Sequence, residues 1–487
     1  MKRYTLFFFM LLVLLAGTSC EKLLEEDVYS ELGADNFLTN KDGLDKLLLS
    51  AYSETAHMND YVENDRLAIQ EMCTDILWQQ RGGEATNAIQ VYQFTWDAGL
   101  SYLGEIFNAP YRAIRDANSV LDNLEVADLT DADRTSLGAE ARFLRAVNYY
   151  YLWDLFGGVP LRTSLSDPSQ LPKTDAATIE KFIEDEMLAA LADLPDSGAE
   201  AAYGRSHKGA AMGFLCRLYL NTHQWQKCLS MADQLIGLNY FSLFPDYVNL
   251  FTVANEHNRE MIWVRPANAQ SGATGNRRIA VSTPANFKKD PKSGIEWQSN
   301  WANYASDYLM YDAFYDTFEA GDIRTKLILT SYIDNSGATI PLYGTNSSMV
   351  WKYRPDPNAN GQDHGNDIAV IRYADILLSK AEALNELNGP SQEAIDLINL
   401  VRQRAGIDGL KLVDFTGTES LRDAILTERG HEFFDEELRR RDLIRQGKLI
   451  SSAQARGVTG AVAYRELYPI PLEAMNANPL LEQNPGY

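Results

Sequence analysis

The residues that could do chemistry are few. The 487-residue chain has no Gly-Lys-Ser/Thr phosphate loop, no Gly-x-Ser-x-Gly turn and no Gly-x-Gly-x-x-Gly following a strand-like run. His431-Glu432-Phe433-Phe434-Asp435 falls one residue short of a zinc-binding helix, because Asp435 stands where the second His belongs. It sits in a heavily charged segment and is read as structural. Carboxylates are so abundant, 67 Asp and Glu, that some must fall at glycosidase-like separations by chance. One stretch has the spacing of a calcium loop: Asp356, Asn358, Asn360 and Gln362 alternate around Gly361, and Asp367 takes the last ligand position in place of Glu. Pro357 and the lack of a helical pattern before Asp356 make a plain polar loop the simpler reading. A structural Ca²⁺ is thus the one cofactor candidate, and no cofactor is required.

Aromatic residues carry more information. Sugars present apolar C–H faces on which rigid rings stack at little entropic cost. Trp297, Trp301, Tyr304, Tyr308, Tyr311, Tyr315 and Phe318 recur at spacings of four and three, which predicts one helical stripe with its later members in the core. Trp297 and Trp301 adjoin a loop of Lys, Ser, Gly and Asn and suit binding as well as packing. Asp75, Trp78, Arg81, Asn87 and Trp96 lie in an irregular earlier stretch. Trp78 beside Gln79, Gln80 and Arg81 combines a ring with hydroxyl-seeking donors. The rings expected to stack on ligand are Trp78, Trp96, Trp297, Trp301 and Tyr304, with Asp75, Arg81 and Asn300 as polar contacts. Two or three rings at about 1 kcal/mol each predict micromolar to millimolar affinity.

A formal net charge of −23 excludes nucleic acid as a natural partner, since neutralising phosphates needs a basic surface. Met1-Lys2-Arg3, an apolar run from Leu6 to Ala16 and Gly17-Thr18-Ser19-Cys20 make a lipoprotein export signal, with Cys20 acylated as the new N-terminus. Several acyl chains at about 0.8 kcal/mol per methylene would hold the protein firmly to a membrane. Three cysteines remain, too few for a disulfide framework, though Cys216 and Cys228 are near enough in sequence to pair.

These groups must be positioned by a mainly helical chain. The signal occupies residues 1–19 and an acidic tether residues 20–34. A helical region follows over 35–239, an irregular lobe over 240–368, and C-terminal helical hairpins over 369–487. Helices are predicted from Asn36 to Ser53, Leu103 to Leu124, Ala139 to about Phe156 and Thr178 to Leu194, with hairpins at 206–234 and 371–406. Small residues Ala210, Ala211 and Gly213 allow close helix approach, and hairpins of this size stack into right-handed tetratricopeptide-like arrays. In the lobe Pro, Gly, Asn and aromatics rise, and Met261–Arg265 and Met349–Tyr353 read as short strands. Arg142, Arg145 and Asp154, on an otherwise apolar helix, need partners if buried.

Five stretches together resemble the SusD/RagB family. These are Glu140–Leu161 with its Phe-Gly-Gly-Val-Pro-Leu ending, the paired segments 375–386 and 399–406, Glu428-Arg429 with 439–445, Tyr468-Pro-Ile-Pro471, and the last five residues Gln483–Tyr487. Glu437 departs from a Gly frequent there, which puts a local turn in question. The resemblance implies a tetratricopeptide-like scaffold with an irregular lobe. It also implies a surface-exposed outer-membrane lipoprotein that binds a nutrient, an oligosaccharide above all, and hands it to a SusC-like TonB-dependent transporter. It implies that a loop after the first helices reaches the binding face. The alternatives are peptide or glycoprotein cargo within the same family, and a surface glycoside hydrolase outside it.

Overall fold

The computed structural model describes residues 38–56, 62–79, 85–270, 274–303 and 308–487. The signal, the tether with Cys20, and two expected site residues, Arg81 and Tyr304, lie outside them.

The first half is helical: α1 (Lys41–Ala56), α2 (Val62–Glu71), α3 (Ala85–Tyr92), α4 (Tyr102–Asn123), α5 (Asp131–Phe156), α6 (Ala176–Asp193) and the hairpin α7 (Lys208–Asn221) and α8 (Trp225–Gly237). Two short helices, α9 (Arg278–Ser282) and α10 (Asp312–Tyr315), punctuate the lobe. The second half returns to helices: α11 (Tyr373–Asn388), α12 (Gln392–Arg404), α13 (Thr418–Phe433), α14 (Arg439–Arg445), α15 (Leu449–Ala455) and α16 (Leu472–Ala477). The chain is the tetratricopeptide-like helical array expected from its sequence. α5 packs between α4 and α6, α1 lies on α4, and the two hairpins stack through α8 and α11.

α5 is the axis. Thr130 caps it by accepting the Asp133 N–H, Asp131 and Asp133 complement the dipole, and Gly157, at φ +69°, ends it. A Cβ on Gly158 would lie 2.3 Å from the Thr174 carbonyl, so the chain passes too closely there for any side chain. The polar minority finds partners: Arg145 and Arg142 both bind Glu186, and Asp154 accepts from Gln70 and faces Arg440 and Arg441. The C-terminal signature closes the end of this helix. The Tyr468 N–H donates to Leu155 O, and Asn484 Nδ2 to Phe156 O and Tyr468 O.

A buried ionic lattice joins the two halves to the lobe. Arg372 binds Glu260, Glu432 and Glu436; Arg324 binds Asp322 and Glu428; Arg429 binds Asp375 and Asp442; Arg445 binds Glu382 and Asp442. Taking such charges out of water is tolerable only because nearly every oxygen has a donor. Glu437 is in the left-handed region, φ +64°. Its carboxylate binds Arg265 at 2.8 Å and Arg278 at 2.6 Å, and its N–H donates to Glu71. The ion pairs offset the backbone strain that Gly would have avoided.

The lobe is built from short antiparallel strands. A four-stranded sheet runs in the order β1 (Leu77–Trp78), β4 (Leu309–Met310), β8 (Ser348–Val350), β5 (Ile328–Leu329). A three-stranded one joins β3 (Phe287–Lys289), β6 (Ser331–Asp334) and β7 (Thr339–Pro341), and β2 (Met261–Arg265) pairs with β9 (Ile368–Arg372). Phe287, Leu309, Tyr332, Met349 and Trp351 form the lobe's own small core.

The expected seven-ring helix from Trp297 to Phe318 does not form. Trp301 makes a bridge to Gly361, Tyr308 takes φ +56°, β4 pairs with its neighbours, and α10 spans four residues. The rings go to different places: Tyr308 is in the main core, Tyr311 stacks on Trp78, and Phe318 stacks on His431 at 4.1 Å. Cys216 and Cys228 do face each other across the α7–α8 hairpin, with Sγ atoms 3.7 Å apart, as buried free thiols.

Candidate functional site

A cleft of about 900 Å³ opens on the lobe. One wall is the loop from Asn249 to Asn255. The other is the turn carrying Gly294 to Gln298 and Trp301, and the floor is Arg354 to Pro357 with Asn366. Its size suits a short oligomer rather than a single small molecule.

Each wall has a local cause. Asp246 accepts from the backbone and side chain of Asn249, which fixes the first. The second grows from β3: Asp290 accepts the N–H groups of Lys292 and Ser293 to form a tight turn, and the Trp297 N–H donates back to Lys288 O. Trp297 is half-buried. It meets Phe287 and Trp301 edge to face at 5.8 and 5.2 Å, and its Nε1 donates to Trp301 O. The ring is braced by its neighbours and lines the cleft, so its exposed part is open to a ligand. Trp301 is only 6 % exposed and meets His364 edge-on, so it supports Trp297 and offers no face of its own. Asn300 is committed too: its Nδ2 donates to Ala359 O, tying the turn to the floor.

The other expected contacts lie elsewhere. Trp96 is 1 % exposed, wedged between Phe94 and Tyr468, with Arg465 over its ring and Nε1 donating to the Tyr487 hydroxyl. It belongs to the lock of the C-terminal signature and has no face for ligand. Asp75 forms a two-pronged ion pair with Arg439, which holds its carboxyl below the usual range against the opposing effect of burial. It is frame. Trp78 is half-buried, stacks on Tyr311 at 6.1 Å and donates Nε1 to Asn346 O, in a patch separate from the cleft lining.

The loop from Asp356 to Asp367 is held by hydrogen bonds of its own side chains. The oxygens of Asp356 accept the N–H groups of Asn358 and Gly365, and Asp367 Oδ1 accepts from Ala267. Asn360 pairs with Asp363 in a bridge, Gln362 has an interaction of its own, and among the described residues no group of three His, Cys, Asp or Glu is placed to hold a metal. The His431 segment is likewise structural: His431 bonds the Thr317 hydroxyl, and burial drives its pKa down to about 2, so it stays neutral.

Two carboxyls beside the cleft do have unusual acidity. Glu256 follows the lining Asn255. Burial, then the charge of Asp367, pushes it up to about 7, while Asp367 itself is raised by burial to about 6. Glu256 accepts the Asp367 N–H at 3.0 Å. Their role in the fold is to pin the Asn255 loop to the strand entering α11.

Sequence reasoning missed Arg354. It lines the cleft, is half-buried, and its side chain has no ion-pair or hydrogen-bond partner among the described residues. Burial lowers its pKa, opposed by the charges of Asp290 and Asp246, which hydrogen-bond within their own turns. Pro355, which holds Arg354 in an extended conformation, was the only local signal.

Two family models match. One, described as the SusD family, covers residues 237–487; the other, described as starch-binding and associating with the outer membrane, covers residues 22–220. The chain is 27 % identical to SusD-like protein P25 of Formosa agariphila, over 96 % of this chain and 97 % of that one. It is 26 % identical to the starch-binding protein SusD of Bacteroides thetaiotaomicron, over 76 % of each. Among solved structures, a laminarin-binding SusD-like protein superposes with a TM-score of 0.79 at 23 % identity, covering 92 % of this chain and all of that one. Surface glycan-binding protein A of Bacteroides uniformis gives 0.77 at 23 %, covering 91 % and 99 %. These likenesses support the helical frame, and the first family model alone spans more than half the sequence: the chain belongs to the SusD/RagB family.

Proposed function

We propose that this protein is a cell-surface lipoprotein of the outer membrane, anchored through Cys20, that captures an oligosaccharide and delivers it unaltered to a SusC-like TonB-dependent transporter. The observation that carries the binding half is the cleft, with the Trp297 ring braced by Phe287 and Trp301 and polar loops on either side. Relatives described as starch-binding, laminarin-binding and glycan-binding support a sugar as cargo. Among the described residues no helix is long and apolar enough to cross a membrane, so attachment rests on the lipid. The rigid helical array supplies the face for the transporter, and the reading requires no cofactor.

Native affinity electrophoresis of the mature protein in gels containing single glycans tests this. At least one glycan should retard the wild type, Trp297→Ala should restore mobility, and the glycan recovered should be of unchanged length. Release of shortened products would favour the hydrolase, and retention by peptides alone would favour the peptide cargo.

A further inference from the structure

Arg354 differs from the arginines of the ionic lattice. Arg324, Arg372, Arg429 and Arg445 are each enclosed by carboxylates, and Arg205 and Arg217 in the helical array are paired as well. Arg354 is half-buried in the cleft lining and, among the described residues, has no carboxylate in ion-pair contact, although the chain carries 67 acidic residues against 44 basic ones. Partly desolvating a guanidinium without acceptors costs free energy in the unliganded protein, and an arriving acceptor repays it. Trp301, in the same lining, is 94 % buried, and among the described residues its Nε1 has no acceptor. The acidic residues of the lining do not compensate: both oxygens of Asp356 accept backbone N–H groups, and Glu296 is paired with Lys289. The cleft lining therefore holds a cation that no carboxylate of the described residues pairs with directly.

We propose that the cleft is specific for an acidic glycan, one bearing carboxylate or sulfate groups, with Arg354 receiving the oxyanion while the neighbouring sugar stacks on Trp297. This rests on the reading of the cleft as the glycan site and names its substrate class. The guanidinium fork matches a carboxylate or sulfate with two parallel hydrogen bonds, about twice as strong as neutral ones, whereas a sugar hydroxyl would satisfy one donor and leave the charge unmatched. The net negative charge of the protein then works as a filter, weakening non-specific binding of polyanions elsewhere on the surface.

The test is isothermal titration of the mature protein with three oligosaccharide pools of similar length: oligogalacturonate (carboxylate), carrageenan oligosaccharides (sulfate) and laminarin oligosaccharides (neutral). At least one acidic pool should bind about tenfold or more tighter than the neutral one, with affinity falling as salt rises. Arg354→Gln should abolish that preference, Arg354→Lys should restore part of it, and thermal melting should show both variants folded. The two acidic pools separate carboxylate from sulfate. Tight binding of the neutral pool alone, lost in Trp297→Ala, would overturn the acidic specificity and leave the cleft as the site. Failure of every pool to bind would overturn both.

Discussion

Arg372 and Arg354 show what separates the frame of this molecule from its lobe. Arg372 is 1 % exposed and lies among Glu260, Glu432 and Glu436, with its plane over Phe433 and Phe251. Each donor is used inside the protein, and nothing is left over for a ligand. Arg354, eighteen residues earlier by its number, keeps its donors open at the floor of a cleft. The two tryptophans differ in the same way. Trp96 is fully enclosed, while Trp297 is half-buried in the lining of the cleft. A self-satisfied frame gives stability and carries the lobe rigidly. In the cleft of the lobe some polar capacity is left unused, which is what a recognition surface on a rigid frame requires.

This contrast fails first if the frame is not held by its ionic lattice. Arg372→Met removes one cation from three buried glutamates and should destabilise the protein by about 3–5 kcal/mol, the cost of uncompensated buried charge. Urea unfolding followed by circular dichroism would read this as a large fall in midpoint, and an unchanged midpoint would sink the claim. Trp96→Ala should cost a similar or slightly smaller amount, about 3–5 kcal/mol from lost burial and a cavity, while glycan retention by the folded fraction stays at the wild-type level. Trp297→Ala should show the reverse: the midpoint moves little, and affinity for the retained glycan falls about five- to tenfold, as expected for one stacking ring. If the two tryptophan variants behaved alike, the division between frame and lobe would be wrong.

The smallest effect concerns Glu256. Its folded pKa, about 7, lies above the ordinary carboxylate value, so the folded state binds its proton more readily than the unfolded one. Its contribution to stability is therefore present at low pH and is lost as pH rises through about 7. Glu256→Gln should accordingly melt about a degree or two above wild type at pH 8, and this gain should shrink toward zero as pH falls to about 5. A gain that grew on acidification would contradict the assigned cause.

Much of the frame was legible in the residues. The apolar stripes from Ala139 and the stop at Gly157-Gly158 were legible, whereas the first turns of α5, from Asp131 with its Thr130 cap, were not, because they lack the stripe. The first hairpin announced itself by small residues at Ala210, Ala211 and Gly213, and in the second Ser391 accepts the Ala394 N–H. Met261–Arg265 emerged as a strand over the same residues. The site was less legible because it is made of non-local contacts. The seven-ring stripe had helical spacing, yet the chain there is divided among a turn, a bridge to Gly361 and a strand, because pairing with distant β1 and β8 outweighs local periodicity. Asp75 looked like a free polar contact, and its partner Arg439 lies 364 residues away. Trp96 lay in an irregular stretch, and much of what encloses it, Tyr468, Arg465 and Tyr487, comes from the far end of the sequence. Trp297 was identified by its neighbours' composition. Arg354 was not, since nothing in a sequence says which of many arginines will lack a carboxylate.

The most direct test of the central claim is a crystal structure of the mature protein with the glycan that retards it most strongly. The account predicts a sugar ring stacked on Trp297, with its polar groups reaching Arg354 and the Asn249–Asn255 wall, in a frame otherwise unchanged. Density for the glycan at the Trp78–Tyr311 patch, with the cleft empty, would contradict it.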